Sequence, residues 1–334
     1  MTGSQRHGVC STSERPGCDV STMNVIPSMR IAAVDLISNT CFPLLAADEL
    51  GLFKAEGLHV EIDLLPMLRG TEALHTGTVG LLAAGSVYDV LTQFPEWKGS
   101  KIIVALSHGT PWLLVVRSDL AARRGDINAV KGLRLTAAEG PDHALKQMLL
   151  GAGIEPGRDV EIAELPGARG RKVSFGVFAA RALELRQIDG FWANAMGAEL
   201  AVSRGAGKVL IDVRRGDDPA DVRSFTFAAI ATTDAYLERE APNAERAVRA
   251  VVKAQSMLRA DPSLARKVGE GKFPAEAAEL ITRTIERDIP FYDPVIPEDA
   301  VASMNAFARA IGHLSRPVPY EEVVDVRFRK LWVQ

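Results

Sequence analysis

The residues able to do chemistry in this chain gather in short polar loops that follow apolar runs. The clearest loop is SNTCFP, in which Ser38, Asn39, Thr40 and Cys41 supply hydrogen-bonding groups and a thiol just before Pro43, a residue suited to a first helical turn. Such a loop serves two chemistries. Cys41 is a nucleophile if a helix N-terminus or a neighbouring base ionises it, and a small wall residue if nothing does. No base stands beside it in the sequence. Further along come Arg69, Gly70 and Thr71, then Gly85 and Ser86, then His108, Gly109 and Thr110. Gly140, Asp142 and His143 follow, and finally Trp192 and Asn194. Arg69 has the fork that clamps a carboxylate or sulfonate, or else it is a solvated surface charge. Ser86 and Asp142 have plainer roles at helix starts, Trp192 in a core, and the two histidines as loop hydrogen-bonders.

These loops need elements to hold them. Residues 29–36, 58–65, 79–85 and 101–107 read as strands. The helix PLLAADEL, a short helix at 71–76 and SVYDVLTQF, capped by Ser86, fall between them. That is the β-α-β grammar of a wound, mostly parallel sheet. After WLLVVRSDL the grammar repeats, with strands in GLRLTAA, DVEIAEL, IDGFWAN and GKVLIDV. The apolar run SFTFAAIATT then carries the chain back towards the first unit, and from Pro242 the pattern is helical. The expected organisation is a disordered leader at 1–28, a first lobe from 29–115 plus 225–334 with the helical tail on it, and a second lobe at 116–224. Most of the candidate loops then sit at the carboxyl ends of strands, where open α/β sheets bind ligands, and several start helices, which favours an anion.

Composition removes several classes. A chain of 334 residues is too long for one ordinary core. A net charge of −3 with acids and bases interspersed excludes the concentrated basic surface that nucleic acid requires. No apolar run is long enough to insert in a membrane. Three cysteines, an odd number, argue against a disulfide framework. Dinucleotide, P-loop and zinc-protease motifs are absent and the six histidines lack ligand spacing, so neither cofactor nor metal is expected. The first residues hold no signal-like hydrophobic segment, which points to the cytoplasm, or to the periplasm if translation starts elsewhere.

The order of several segments resembles the solute-binding proteins for sulfonates, taurine, nitrate and thiamine-pyrimidine precursors, which share a scaffold with thiamine-pyrimidine synthases. The segments are LLAADELGLFKAEGLHVEI, TEALHTGTVGLLAAGS, INAVKGLRLTAAEGPDHALKQMLLGAGIEPGRDVEI and ALELRQIDGFWAN, together with the tail APNAERAVRAVVKAQSMLRADPSLA. The resemblance implies a two-lobe type 2 periplasmic-binding fold, each lobe a wound mixed sheet with flanking helices. A small anionic or heteroaromatic ligand would lie in the cleft between lobes, with an ABC permease and ATPase as partners. Two departures stand out: Val79–Gly80 replaces the usual Val-Asp step, and the synthases' iron-associated His- and Cys-rich motif is missing. One enzyme of similar fold, the aromatic sulfinate desulfinase, carries a catalytic cysteine in the first strand–helix loop and an arginine after the second strand. Cys41 and the run from Arg69 to Glu72 occupy comparable neighbourhoods, so a lyase or hydrolase acting through Cys41, or a cytoplasmic ligand sensor, stands as the alternative.

Overall fold

Apolar runs of four to eight residues, each punctuated by glycine or a polar loop, build two five-stranded sheets in the computed structural model, which describes residues 28–34, 38–165, 167, 174–219, 221–270, 272 and 275–333. The expected leader therefore lies, but for residue 28, outside the described residues. The first sheet is made of β1 (Ser28–Ala33), β2 (His59–Leu64), β3 (Leu81–Ala84) and β4 (Ser100–Ser107), with a strand that returns much later. The second holds β5 (Leu113–Arg117), β6 (Arg134–Ala137), β7 (Glu161–Ile162), β8 (Gly190–Ala193) and β9 (Gly207–Asp212). β10 (Ala228–Thr233) is the returning strand, antiparallel between β3 and β4. The orders are β2-β1-β3-β10-β4 and β7-β6-β8-β5-β9. In each sheet one antiparallel strand is contributed by the crossover, and the others run parallel to one another, which is the wound mixed sheet expected from the sequence.

Helices cover both sheets: α1 (Phe42–Glu49), α2 (Leu52–Ala55), α3 (Met67–His75), α4 (Asp142–Gly151), α5 (Phe175–Glu184) and α6 (Ala195–Ser203). The tail supplies α7 (Asp234–Ala260), α8 (Leu264–Glu270), α9 (Ala275–Asp288), α10 (Glu298–Ala310) and α11 (Tyr320–Val323). α7 begins eight residues before Pro242 because Thr233 caps it, accepting from the Tyr236 amide at 3.1 Å. The backbone leaves helical geometry at Glu240, where the proline breaks the ladder. α7 packs on α1, α2 and β4, and α9 reaches α6 on the second sheet. Val324 bridges Ile102, and the Trp332 indole donates to the Ile103 carbonyl at 2.9 Å, so the chain end protects the edge strand β4.

Several expectations need correction. The division after residue 115 falls inside β5, which pairs from Leu113 to Arg117 with β9 and so lies in the second sheet as one piece. SVYDVLTQF forms only a 3-10 helix, Val87–Thr92, and the Ser86 hydroxyl bonds the Asp89 carboxylate instead of capping a backbone amide. The DVEIAEL strand shrinks to two residues, enough for one edge pairing.

The contact of α5 with α6 depends on two glycines. A Cβ at Gly197 would stand 2.6 Å from the Gly176 backbone, closer than real Cβ atoms come. We expect Gly197→Ala to lower unfolding stability by about 1–3 kcal/mol through overpacking, read as a shifted urea midpoint. An unchanged midpoint would show that the helices separate without cost.

Candidate functional site

Residues 38–41 enter α1 under full cover: Ser38, Asn39, Thr40 and Cys41 are all buried. The Ser38 and Thr40 hydroxyls are 2.6 Å apart, and a Cβ at Gly85 would lie 3.6 Å from the Thr40 hydroxyl. Cys41 occupies the N-cap position of α1 without a side-chain capping bond, and its Sγ lies 3.7 Å from the Ala83 carbonyl on β3. The thiol therefore points into the sheet. The Tyr292 hydroxyl donates to the Asn39 carbonyl at 2.6 Å, and burial, then the Asp288 carboxylate, push that phenol well above its ordinary pKa.

Asn39 also donates through Nδ2 to Asp288, the last residue of α9. The same carboxylate accepts from Arg214 Nη1 at 3.0 Å and from Arg215 Nη2 at 3.3 Å. Arg214 and Asp288 are each only 2% exposed at the side chain. Arg214 further donates through Nη2 to the Ser107 hydroxyl at the end of β4, and its guanidinium lies 4.8 Å from the Phe291 ring centre. Burial pulls the Arg214 pKa down and Asp288 opposes that pull. One carboxylate thus ties the loop of the first sheet, the turn after β9 in the second, and the tail. Beside it, the two crossover segments pair: the Thr110 hydroxyl donates to the Val222 carbonyl at 2.6 Å and its amide to the Arg223 carbonyl at 3.0 Å.

A second junction forms where residues 139–143 of the second sheet meet the turn after β3. The Tyr88 hydroxyl donates to the Gly140 carbonyl at 2.8 Å. Gly140 has φ +96°, and a Cβ there would stand 2.9 Å from both Asp89 carboxylate oxygens, so only glycine fits. Asp142 accepts from the Gly140 amide at 3.0 Å and from Lys146 at 2.5 Å. The His143 ring meets His313 edge-on at 5.2 Å. Trp192, fully buried, tilts against Trp112 at 5.9 Å.

The structure brings together Ser38, Asn39, Thr40, Cys41 and Gly85 on one side, and Ser86, Gly140, Asp142 and His143 around Asp89 on the other. Gly109 and Thr110 lie at the crossover, with the Gly109 carbonyl 3.4 Å from Arg214 Nη2. His108 ties the tail down instead, its Nε2 2.8 Å from the Val295 carbonyl. Asn194 caps α6, accepting from the Gly197 amide at 3.4 Å. Arg69, read as a possible clamp, is 71% exposed and ion-paired with Glu72 at 2.6 Å, because helix α3 turns it to solvent. Gly70 lets α3 approach Leu82, and the buried Thr71 hydroxyl donates to the Leu68 carbonyl at 2.8 Å and lies 3.5 Å from the Thr92 hydroxyl on the turn after β3.

Sequence reasoning missed Arg214, Asp288, Tyr292, Asp89, Thr136 and Ser174. Signals existed for two of them. Asp288 is an acid at a helix C-terminus, against the dipole, and Asp89 is a lone acid in an apolar run. Among the described residues, the buried polar atoms without a hydrogen-bond partner include Asn39 Oδ1 and Asp89 Oδ1 in the loops after β1 and β3, Thr136 Oγ1 and Trp192 Nε1 on β6 and β8, and Ser174 Oγ at the start of α5. Among the described residues no group of three or more metal-ligating side chains occurs, and no helix is long and apolar enough to cross a membrane.

Two mixed sheets linked by paired crossovers, with polar loops at the facing strand ends, define the periplasmic-binding-protein fold. The family model described as NMT1/THI5 like matches residues 38–265, and the chain belongs to that family. Its structure is similar to the alkanesulfonate-binding protein SsuA from Xanthomonas axonopodis pv. citri bound to MOPS, at 17% identity and TM-score 0.66, covering 90% of this chain and 97% of that one. It is similar to the periplasmic nitrate-binding protein NrtA from Synechocystis PCC 6803, at 12% identity and TM-score 0.65, covering 92% and 88%. It is similar also to DszB, solved as a cysteine-to-serine mutant with biphenyl-2-sulfinic acid, at 14% identity and TM-score 0.64, covering 92% and 98%. No curated protein matches the sequence.

Asp288→Ala would leave Arg214 buried without its counter-charge. The expected loss of folding stability is about 3–5 kcal/mol, measured by chemical denaturation. Arg69→Ala, on an exposed helix, should stay within about 0.5 kcal/mol of wild type. Equal effects of the two substitutions would refute the assigned roles.

Proposed function

We propose that this chain is a solute-binding protein of the ABC-import type, holding one small molecule between its two sheets and handing it to a permease served by an ATPase. The observation that carries this reading is the set of five partnerless buried polar atoms. They lie on β6 and β8, in the loops after β1 and β3 and at the start of α5, and buried polar groups in native proteins are almost always satisfied. Asn39 and Asp89 offer them from the first sheet, and Thr136, Ser174 and Trp192 from the second. The ligand is a small anionic molecule, such as a sulfonate or carboxylate, or a heteroaromatic compound. SsuA and NrtA, similar in fold, are named for sulfonate and nitrate, which supports the anionic half of that class. Arg214 is already neutralised by Asp288, so an anionic group here would rest on the Thr136 and Ser174 hydroxyls, the Trp192 indole and helix starts, with Asn39 Oδ1 and Asp89 Oδ1 facing donor groups of the ligand. Binding closes the two sheets about the paired crossovers, a hinge motion.

The reading prefers a wall to a nucleophile at Cys41. The thiol is buried and directed at the Ala83 carbonyl. Delivery to an import permease requires the outer side of the cytoplasmic membrane, so fractionation of the native host should find the chain outside the cytoplasm; recovery in the cytoplasm alone would favour the ligand-sensor reading.

Native mass spectrometry of freshly purified protein should reveal a retained small molecule, and that molecule should contract the radius of gyration in solution scattering. Cys41→Ser should hold it within about tenfold of the wild-type affinity, roughly 1.4 kcal/mol. Consumption of the molecule by wild type but not by Cys41→Ser would replace this reading with the lyase or hydrolase one.

A further inference from the structure

We infer that closing residues 139–143 over Asp89 takes up a proton, so that the junction around Asp89 is a latch set by pH. The inference rests on the closure reading above and adds its regulation.

The geometry carries it. Asp89 belongs to the first sheet and is completely buried, yet what presses on its carboxylate is Gly140 from the second. Oδ2 accepts from Ser86, while Oδ1 has no partner. A bare carboxylate in that position loses its hydration without a compensating bond. The loop that covers it brings two further acids, Asp142 and Glu139, and Lys146 on the helix that follows is ion-paired with Asp142. Of the elements packed on the Val87–Thr92 turn, β3 and β10 carry no titratable side chain. α3 carries His75, whose ring lies against Phe94, and Arg69 and Glu72, which pair with each other on the surface. The turn Pro95–Trp97 carries Glu96, bonded to Ser315, and α10 carries Arg309, Glu298 and Asp299. Among the described residues none of these side chains hydrogen-bonds or ion-pairs with Asp89, and burial outweighs the rest, pushing the Asp89 pKa up to about 7.

The sign follows. An acid with a higher pKa in the closed arrangement holds its proton there, so closure is favoured at pH below about 7 and loses that advantage as pH rises through it. His313 bounds the window from below. Burial and then His143 lower its pKa, so charging it at acid pH works against the same junction.

The test is amide hydrogen exchange of residues 140–144 in the ligand-free wild-type chain, corrected for intrinsic rates, between pH 6 and pH 8. The opening constant should rise about tenfold across that interval, as a group titrating near 7 requires. Asp89→Asn should show no such rise. Should that variant not fold, Glu139→Gln combined with Asp142→Asn, both on the covering loop, should move the wild-type midpoint to lower pH. Exchange that is flat in wild type, equal in Asp89→Asn, or unmoved in the double variant would overturn the latch. Because no ligand is added, that failure would leave solute binding untouched, while absence of any bound molecule would leave the latch untouched.

Discussion

The Arg214 guanidinium is withdrawn from water at the point where both sheets and the tail meet, and it is tolerable there because Asp288 stands 3.0 Å away. A buried pair of this kind contributes little net stability, since desolvation offsets most of the attraction, but it imposes strict geometry. Asp288 can satisfy Arg214, Arg215 and the Asn39 amide at once only if α9, the turn after β9 and residues 38–41 keep one mutual arrangement. The polar loop of the first sheet is thereby positioned by a residue 249 positions away in sequence. Tyr292 completes the anchoring through the Asn39 carbonyl.

The junction around Asp89 is built on the opposite plan. There the contacts are one tyrosine hydroxyl on a backbone carbonyl, a glycine pressed against a carboxylate, and two histidine rings edge to face. None is a charge pair between the sheets. A junction tied by a buried charge pair beside one held by weaker contacts is an arrangement that suits a hinge, since parting the second costs few strong bonds.

The same scaffold carries a sulfonate binder, a nitrate binder and DszB, so the fold cannot decide between binding and catalysis. The placement of particular side chains bears on it. Cys41 starts a helix, and its buried sulfur is turned to a strand carbonyl, 3.7 Å from the Ala83 oxygen. Arg69, which sequence spacing put near the second strand, is carried to solvent by the turn of its helix.

The local pattern was sufficient for the architecture. Strand-length apolar runs such as LLAA and VLID, glycine at turns such as Gly51, and the late β-rich run ending at Thr233 determine the sequence of elements, because they act through the few residues next to them. The polar loops, among them residues 38–41 and 140–143, were legible for the same reason: they follow strands or open helices. Three features were not legible. β5 looked divided because an apolar strand carries no mark of which sheet will bond it. The roles of Arg214 and Asp288 were invisible because a charge reads as surface until tertiary packing removes its water. Thr136 and Ser174 resembled ordinary strand and helix-start residues, and only their burial without partners set them apart. The sequence by itself determined which elements form and in what order, through short-range hydrophobic period and turn chemistry. Only the tertiary structure decided which polar groups are desolvated together, because desolvation depends on neighbours that the chain brings from far away.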